Sequence, residues 1–185
     1  MIRITLLLVY ALSGRFIANA QDKYFTKTGK ISFYSVAPLE DIEAHHRSVT
    51  AILNNKLGTL QFMLLINGFE FEKALMQEDF NEYYLESDKF PKAEFKGQIT
   101  NNSAITYYKD GEYAAMVKGM LTIHGETKET EATGKIIIKE GKILLNASLN
   151  ILLSDYKVTI VKLVKDKISN KVKIAVDASL DPLKN

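Results

Sequence analysis

The sequence predicts an all-β fold interrupted by one short inserted helix. Apolar residues recur with period two in stretch after stretch, turn signals separate the stretches, and a single longer segment carries helical spacing. Period-two alternation marks strands that bury one face and show the other to solvent. Hairpins that follow one another without helix-length spacers exclude a doubly wound α/β sheet, and they favour a closed barrel or a sandwich.

Strands are expected over 23–28, 30–36, 48–54 and 58–66, the last with Leu60, Phe62, Leu64 and Ile66 on one face. Pro38 suits the first turn of a short helix over 38–43. The Asn-Asn-Lys-Leu-Gly run at 54–58 suits a longer hairpin connection. Over 72–84, Met76, Phe80, Tyr83 and Tyr84 stand at i, i+4, i+7 and i+8, which is one face of a helix. The Ser-Asp-Lys-Phe-Pro run at 87–91 ends that helix. A helix of this size in a β meander covers an open barrel end or a sheet edge. Ala93, Phe95, Gly97 and Ile99 then alternate in the next strand, followed by strands over 113–123, 130–138, 143–153 and 172–180. Asp110-Gly111 and Glu140-Gly141 suit hairpin turns with positive φ, and His124-Gly125 opens the turn after 123. Eight or nine strands result.

With 46% apolar and 25% charged residues among 185, the chain suits one globular domain, and without Cys it has no disulfide, thiol nucleophile or Cys-based zinc site. It has no uninterrupted apolar run of the about 18 residues that a membrane-crossing helix needs. Arg3, a largely apolar run from Ile4 to Leu12 and the small-x-small Ala18-Asn19-Ala20 before Gln21 have the order of a secretory signal. The expected organisation is a signal peptide over 1–20, cut after Ala20, and one domain over 21–185 in the periplasm or outside the cell. Arg3 and Arg15 fall in the signal and no acid does, so 24 Lys+Arg against 22 Asp+Glu becomes 22 against 22. A neutral chain has no general attraction to nucleic acid or anionic lipid.

Catalytic patterns are scarce. The ten glycines form no G-x-G pair, and no phosphate loop, G-x-S-x-G elbow or H-E-x-x-H zinc helix occurs. His45 and His46 follow Glu40, Asp41 and Glu43, but neighbouring residues of a strand point to opposite faces, so one ion is poorly served and no metal is expected. Ser154-x-x-Lys157 is short enough to be a chance match to S-x-x-K. His124 has no nucleophile at a useful spacing, and a structural hydrogen bond at its turn is the better reading. The glycosylation patterns at Asn101 and Asn146 matter only in a eukaryotic secretory route. No catalytic residue and no cofactor are expected.

Two stretches resemble the YceI-like family of exported bacterial polyisoprenoid-binding proteins. Met120-Leu121-Thr122-Ile123-His124-Gly125-Glu126-Thr127-Lys128, with Gly119 before it, is similar to the family's G-x-L-T-I-H-G-x-T-K hairpin. Asp79-Phe80 followed by the run from Leu85 to Gly97 resembles the family's short helix and its Y/F-P-x-A/I-x-F lead into a strand. The resemblance spans about residues 30–180. It implies a single antiparallel eight-stranded lipocalin-like β-barrel enclosing a long apolar chain, in the periplasm of a Gram-negative bacterium. Two family features are missing: 152–157 reads Leu-Leu-Ser-Asp-Tyr-Lys without the family's Arg and Gly, and 28–32 reads Thr-Gly-Lys-Ile-Ser in place of D-x-x-H-S.

The inward strand faces supply the candidate lining: Phe33, Phe62, Leu64, Phe95, Val117, Leu121, Leu149, Ile151, Ile174 and Val176. Met76, Phe80 and Tyr83 form a candidate lid, Met being suited to irregular apolar shapes. The expected function is an exported barrel that stores or transports a polyisoprenoid, an isoprenoid quinone or a related lipid without catalysis. The alternatives are a structural or interaction barrel with a filled core, and a secreted hydrolase using His124 or the His45/His46 pair. The expected partner is the lipid, with no nucleic acid and no stable membrane insertion after signal removal; an incompletely closed barrel would leave edges for a homodimer.

Overall fold

The alternating segments become strands whose pairing returns on itself. The computed structural model describes residues 22–160 and 166–183, so the expected signal peptide lies outside the described residues. The strands are β1 (Lys23–Val36), β2 (Asp41–Asn54), β3 (Thr59–Leu65), β4 (Glu70–Phe71), β5 (Lys92–Ile99), β6 (Gly111–Ile123), β7 (Glu126–Lys139), β8 (Lys142–Leu152) and β9 (Lys171–Pro182), with helix α1 (Ala74–Asp79) between β4 and β5. Eight of them form a closed antiparallel barrel in the order β1-β9-β8-β7-β6-β5-β3-β2, with β2 paired back onto β1. The short β4 is an extra strand beside Ala44 and His45 of β2. Each barrel strand therefore has two neighbours, which deals with the edges that invite other chains. The homodimer expectation needed an unclosed barrel.

Local chemistry explains where the sequence reading holds and where it changes. His124-Gly125 (φ 51° and 75°) and Glu140-Gly141 (φ 52° and 78°) are two-residue turns whose left-handed backbone matches the strand twist. The first is so tight that β7 starts at Glu126 rather than 130. The stretches 23–28 and 30–36 form one strand with a register shift around Gly29. No helix forms over 38–43: Ser35 and Tyr34 pair with Ile42 and Glu43, and the extended form lets Ala44 be fully buried. Cross-strand pairing outweighs the local preference of Pro38. Asp110-Gly111 is not a two-residue turn either, because β5 ends with Ile99 opposite Val117 while β6 begins at Gly111. The intervening residues fold across that end of the barrel and bring Ile105 and Tyr107 to the core.

That end is solid. Tyr24, Leu53, Leu60, Ile99, Ile136, Ile138, Ile143 and Leu180 pack there, with Leu53, Ile143 and Leu180 fully buried. At the other end a small polar device supports the wall. β3 stops at Leu65 and β4 begins at Glu70, and the buried His46 of β2 bridges the break. Its Nε2–H donates to the Leu65 carbonyl (3.0 Å), and its Nδ1 accepts from the Ser48 amide (3.1 Å). Phe69 meets the ring edge-on at 5.3 Å.

Burial holds the His46 pKa below its ordinary 6.5. The folded state thus resists a proton that the unfolded chain accepts, so this group costs no stability above pH 6.5 and removes stability as pH falls below it. His46→Gln keeps a donor for Leu65 and an acceptor for Ser48 without titrating. Thermal unfolding followed from about pH 7 to about pH 5 should show the wild type losing more Tm than the variant. Parallel losses would contradict the assignment.

Candidate functional site

Above the solid end, inward-facing side chains pack on one side and border open space on the other. Ile31, Phe33, Phe62, Phe95, Leu149 and Ile174 lie on the inner face yet are only half-buried. They border a cavity of about 490 Å³. Leu60, Ile99, Ala115, Ile136 and Leu145 make its floor, continuous with the solid core. Small residues make the room: Ala93, Ala115, Ala132, Gly134 and Ala147 all face it from β5 to β8. The Phe95 ring lies flat along the wall because Gly97 and Gly119 carry no side chain; a Cβ there would come within 2.5 and 2.7 Å of its Cζ.

Twelve of the expected site residues are on the cavity wall: Phe33, Phe62, Leu64, Met76, Phe80, Phe95, Val117, Leu121, Leu149, Ile151, Ile174 and Val176. Tyr83 is not, and its side is 71% exposed. The cause is a π-helical turn over Phe80–Tyr84 that follows α1, closed by the Leu85 amide on the Phe80 carbonyl (2.9 Å). An i→i+5 bond turns the chain by less than the ~100° per residue of an α-helix, so Tyr83 rotates outward and Tyr84 takes the inner position. The reading also missed Ile31, Ile42, Phe69 and Phe71. Phe69-Glu70-Phe71 does alternate, but β4 is too short for a periodic signal.

Aromatic contacts fix the lid. Phe33 stacks on Phe80 (5.5 Å between centroids) and meets Phe69 and Phe71 edge-on at 5.3 and 5.7 Å. Such pairs contribute about 0.5–1.5 kcal/mol each beyond area burial. Farther round, His124 ties three segments together. Its Nε2 is 2.8 Å from Glu86 Oε2, just beyond the lid, and its Nδ1 is 3.1 Å from the Tyr156 carbonyl. The hydrogen bond from His124, with help from Lys89, holds the Glu86 carboxyl below its usual pKa. Buried Tyr156 covers the seam where β7 and β8 part beyond Thr133 and Ser148. The charged groups Glu40, Lys73, Asp79 and Lys167 stand at the mouth, and Glu40 is ion-paired to Lys73 at 2.7 Å.

The residues weighed for catalysis have other partners. His45 and His46 take opposite faces, with His45 Nδ1 hydrogen-bonded to Ser32 Oγ at 2.7 Å and its Nε2 3.2 Å from Glu43. Both nitrogens of His124 face protein oxygens. Ser154 Oγ bonds Asn170, whereas Lys157 pairs with Glu126 at 2.6 Å. Among the described residues no group of three or more His, Cys, Asp or Glu is placed to hold a metal ion, and no helix is long and apolar enough to cross a membrane.

Leu149 already lacks neighbours on its cavity side, so truncating it forfeits fewer contacts than truncating a packed residue. Leu53→Ala or Ile143→Ala should each cost about 2–5 kcal/mol, and Leu149→Ala markedly less, in denaturant unfolding. Equal costs would mean that the interior is filled at both heights.

The YceI-like domain matches residues 20–180. Solved structures are similar in fold. A polyisoprenoid-binding domain from Saccharophagus degradans superposes with a TM-score of 0.75 at 13% identity, covering 88% of this chain and 99% of its own. BcnA of Burkholderia cenocepacia gives 0.67 at 16% identity, with 82% and 95% covered. The YceI protein of Campylobacter jejuni gives 0.51 at 21%, with 77% and 85% covered. A search of the curated proteins finds no match. With the matched region running through the whole barrel, the chain belongs to the YceI-like family.

Proposed function

We propose that this protein is an exported, non-catalytic carrier that holds one long apolar molecule in its barrel, a polyisoprenoid, an isoprenoid quinone or a related lipid, for storage or transport. The observation that carries this reading is the cavity itself, lined mainly by apolar side chains above a solid floor, with Glu40, Lys73, Asp79 and Lys167 among its few charged ones. Its about 490 Å³ lies within the ~300–1,000 Å³ of sites that enclose small ligands. At about 30 Å³ for a water-sized group, it accepts roughly sixteen methylenes. Burying those contributes about 13 kcal/mol gross at ~0.8 kcal/mol each, against about 4–15 kcal/mol for association and ordering. Near the lower cost, micromolar binding needs no charged contact inside the barrel.

The blind floor and the mouth suggest an orientation, with the apolar tail inward and a polar head beside Glu40, Lys73, Asp79 and Lys167. Family membership and the polyisoprenoid-binding domain among the structural neighbours support the same ligand class. The signal-like segment over 1–20 supports export to the periplasm or beyond. The histidines' existing partners favour binding over hydrolysis.

Native mass spectrometry and organic extraction of the purified protein should recover a hydrophobic molecule. Ala147→Phe, which puts a ring into the cavity, should fold but retain much less of it. An empty wild type, or equal retention by the variant, would overturn the proposal.

A further inference from the structure

The rim of the cavity mouth exposes apolar side chains that close no part of the barrel. Val36, at the end of β1, and Leu39, in the turn after it, are each 70% exposed, and Leu75 on α1 is 67% exposed. The segments that carry them are fastened together. The Leu39 amide donates to the Asp166 carbonyl (2.9 Å), the Ser169 amide to Ser35 Oγ (3.0 Å), and Lys73 Nζ to Glu40 Oε1 (2.7 Å). Glu40, Lys73, Leu75 and Lys167 also line the cavity, so the apolar tips stand around its opening.

Size and charge select the partner. Three side chains at this exposure offer on the order of 300 Å² of apolar surface, the lower end of the largest patch a monomer usually shows, which is often functional. A stable dimer buries about 800 Å² per partner, so a second copy is poorly matched. At the mouth Glu40 and Asp79 balance Lys73 and Lys167, and Asp41 and Asp166 lie beside them, leaving no excess of cations among the described residues. Among the described residues the rim offers an anionic surface no net attraction, whereas a zwitterionic bilayer accepts apolar tips without a charge requirement.

We propose that this rim seats the open end of the barrel on a zwitterionic lipid bilayer. Val36, Leu39 and Leu75 enter the headgroup layer, and an apolar chain passes between bilayer and cavity without crossing water. The inference rests on the reading of the cavity as a lipid site, and its test separates the two. The purified wild type and the double variant Val36→Asp/Leu39→Asp, neither position lining the cavity, are floated with phosphatidylcholine vesicles. Both are then given retinol, a fluorescent isoprenoid alcohol, either dispersed in buffer or loaded in those vesicles.

The variant should co-float at least about tenfold less and take retinol from vesicles at least about tenfold more slowly, yet take it from buffer as the wild type does. Equal flotation and equal uptake from vesicles would overturn the docking proposal. So would flotation confined to anionic vesicles and abolished by salt, or a wild-type dimer that the double variant dissociates. Flotation of the wild type without retinol uptake from either source would support the rim and count against the cavity reading. Val36→Ser/Leu39→Ser serves in the same comparison if the aspartates prevent folding.

Discussion

The structure depends on one constraint: the hydrogen-bonded cylinder has to close independently of what fills it. β1 makes that closure, pairing with β2 from Lys23 opposite Asn54 to Val36 opposite Asp41, and with β9 on its other side. Where side chains border the cavity they give up packing on that side, and the closed ladders keep the walls apart. An open sheet with the same inner face would fold over and bury it. A ring cannot do so without breaking pairings along its whole length.

Stability and vacancy are thus assigned to different heights of one barrel. The end crossed by residues 100–110 carries the packed aliphatic core. The middle gives up dispersion contacts where Ala and Gly replace larger inward residues. The mouth recovers rigidity by other means: the aromatic cluster around Phe33, the buried His46 that ties β2 to the end of β3, and the His124 link from its hairpin to Glu86 and to the Tyr156 turn. These polar links lie around the cavity, so the space they frame stays apolar.

Much of this was legible in the sequence, because period two reports which residues face inward and barrel interiors are built from that set. Phe62, Leu64, Phe95, Leu149 and Ile174 were read from alternation alone. Tyr83 was misread because periodicity assumes an α-helix, and the π-helical turn shifts the angle per residue. The 38–43 segment was misread because the strand form of Asp41 to Ala44 depends on β1 across the hairpin, a contact no local pattern records. Alternation also leaves filled and hollow barrels alike. The signal that separates them is residue size, in the run of Ala93, Ala115, Ala132, Gly134 and Ala147 at inward positions.

A crystal structure of the protein purified without added lipid tests the central claim most directly. The account predicts an inner wall with Phe95 and Leu149 held apart and elongated density running from the Leu60–Ile136 floor toward Phe80. An interior in which those two side chains touch, with no space or density between floor and lid, would contradict it.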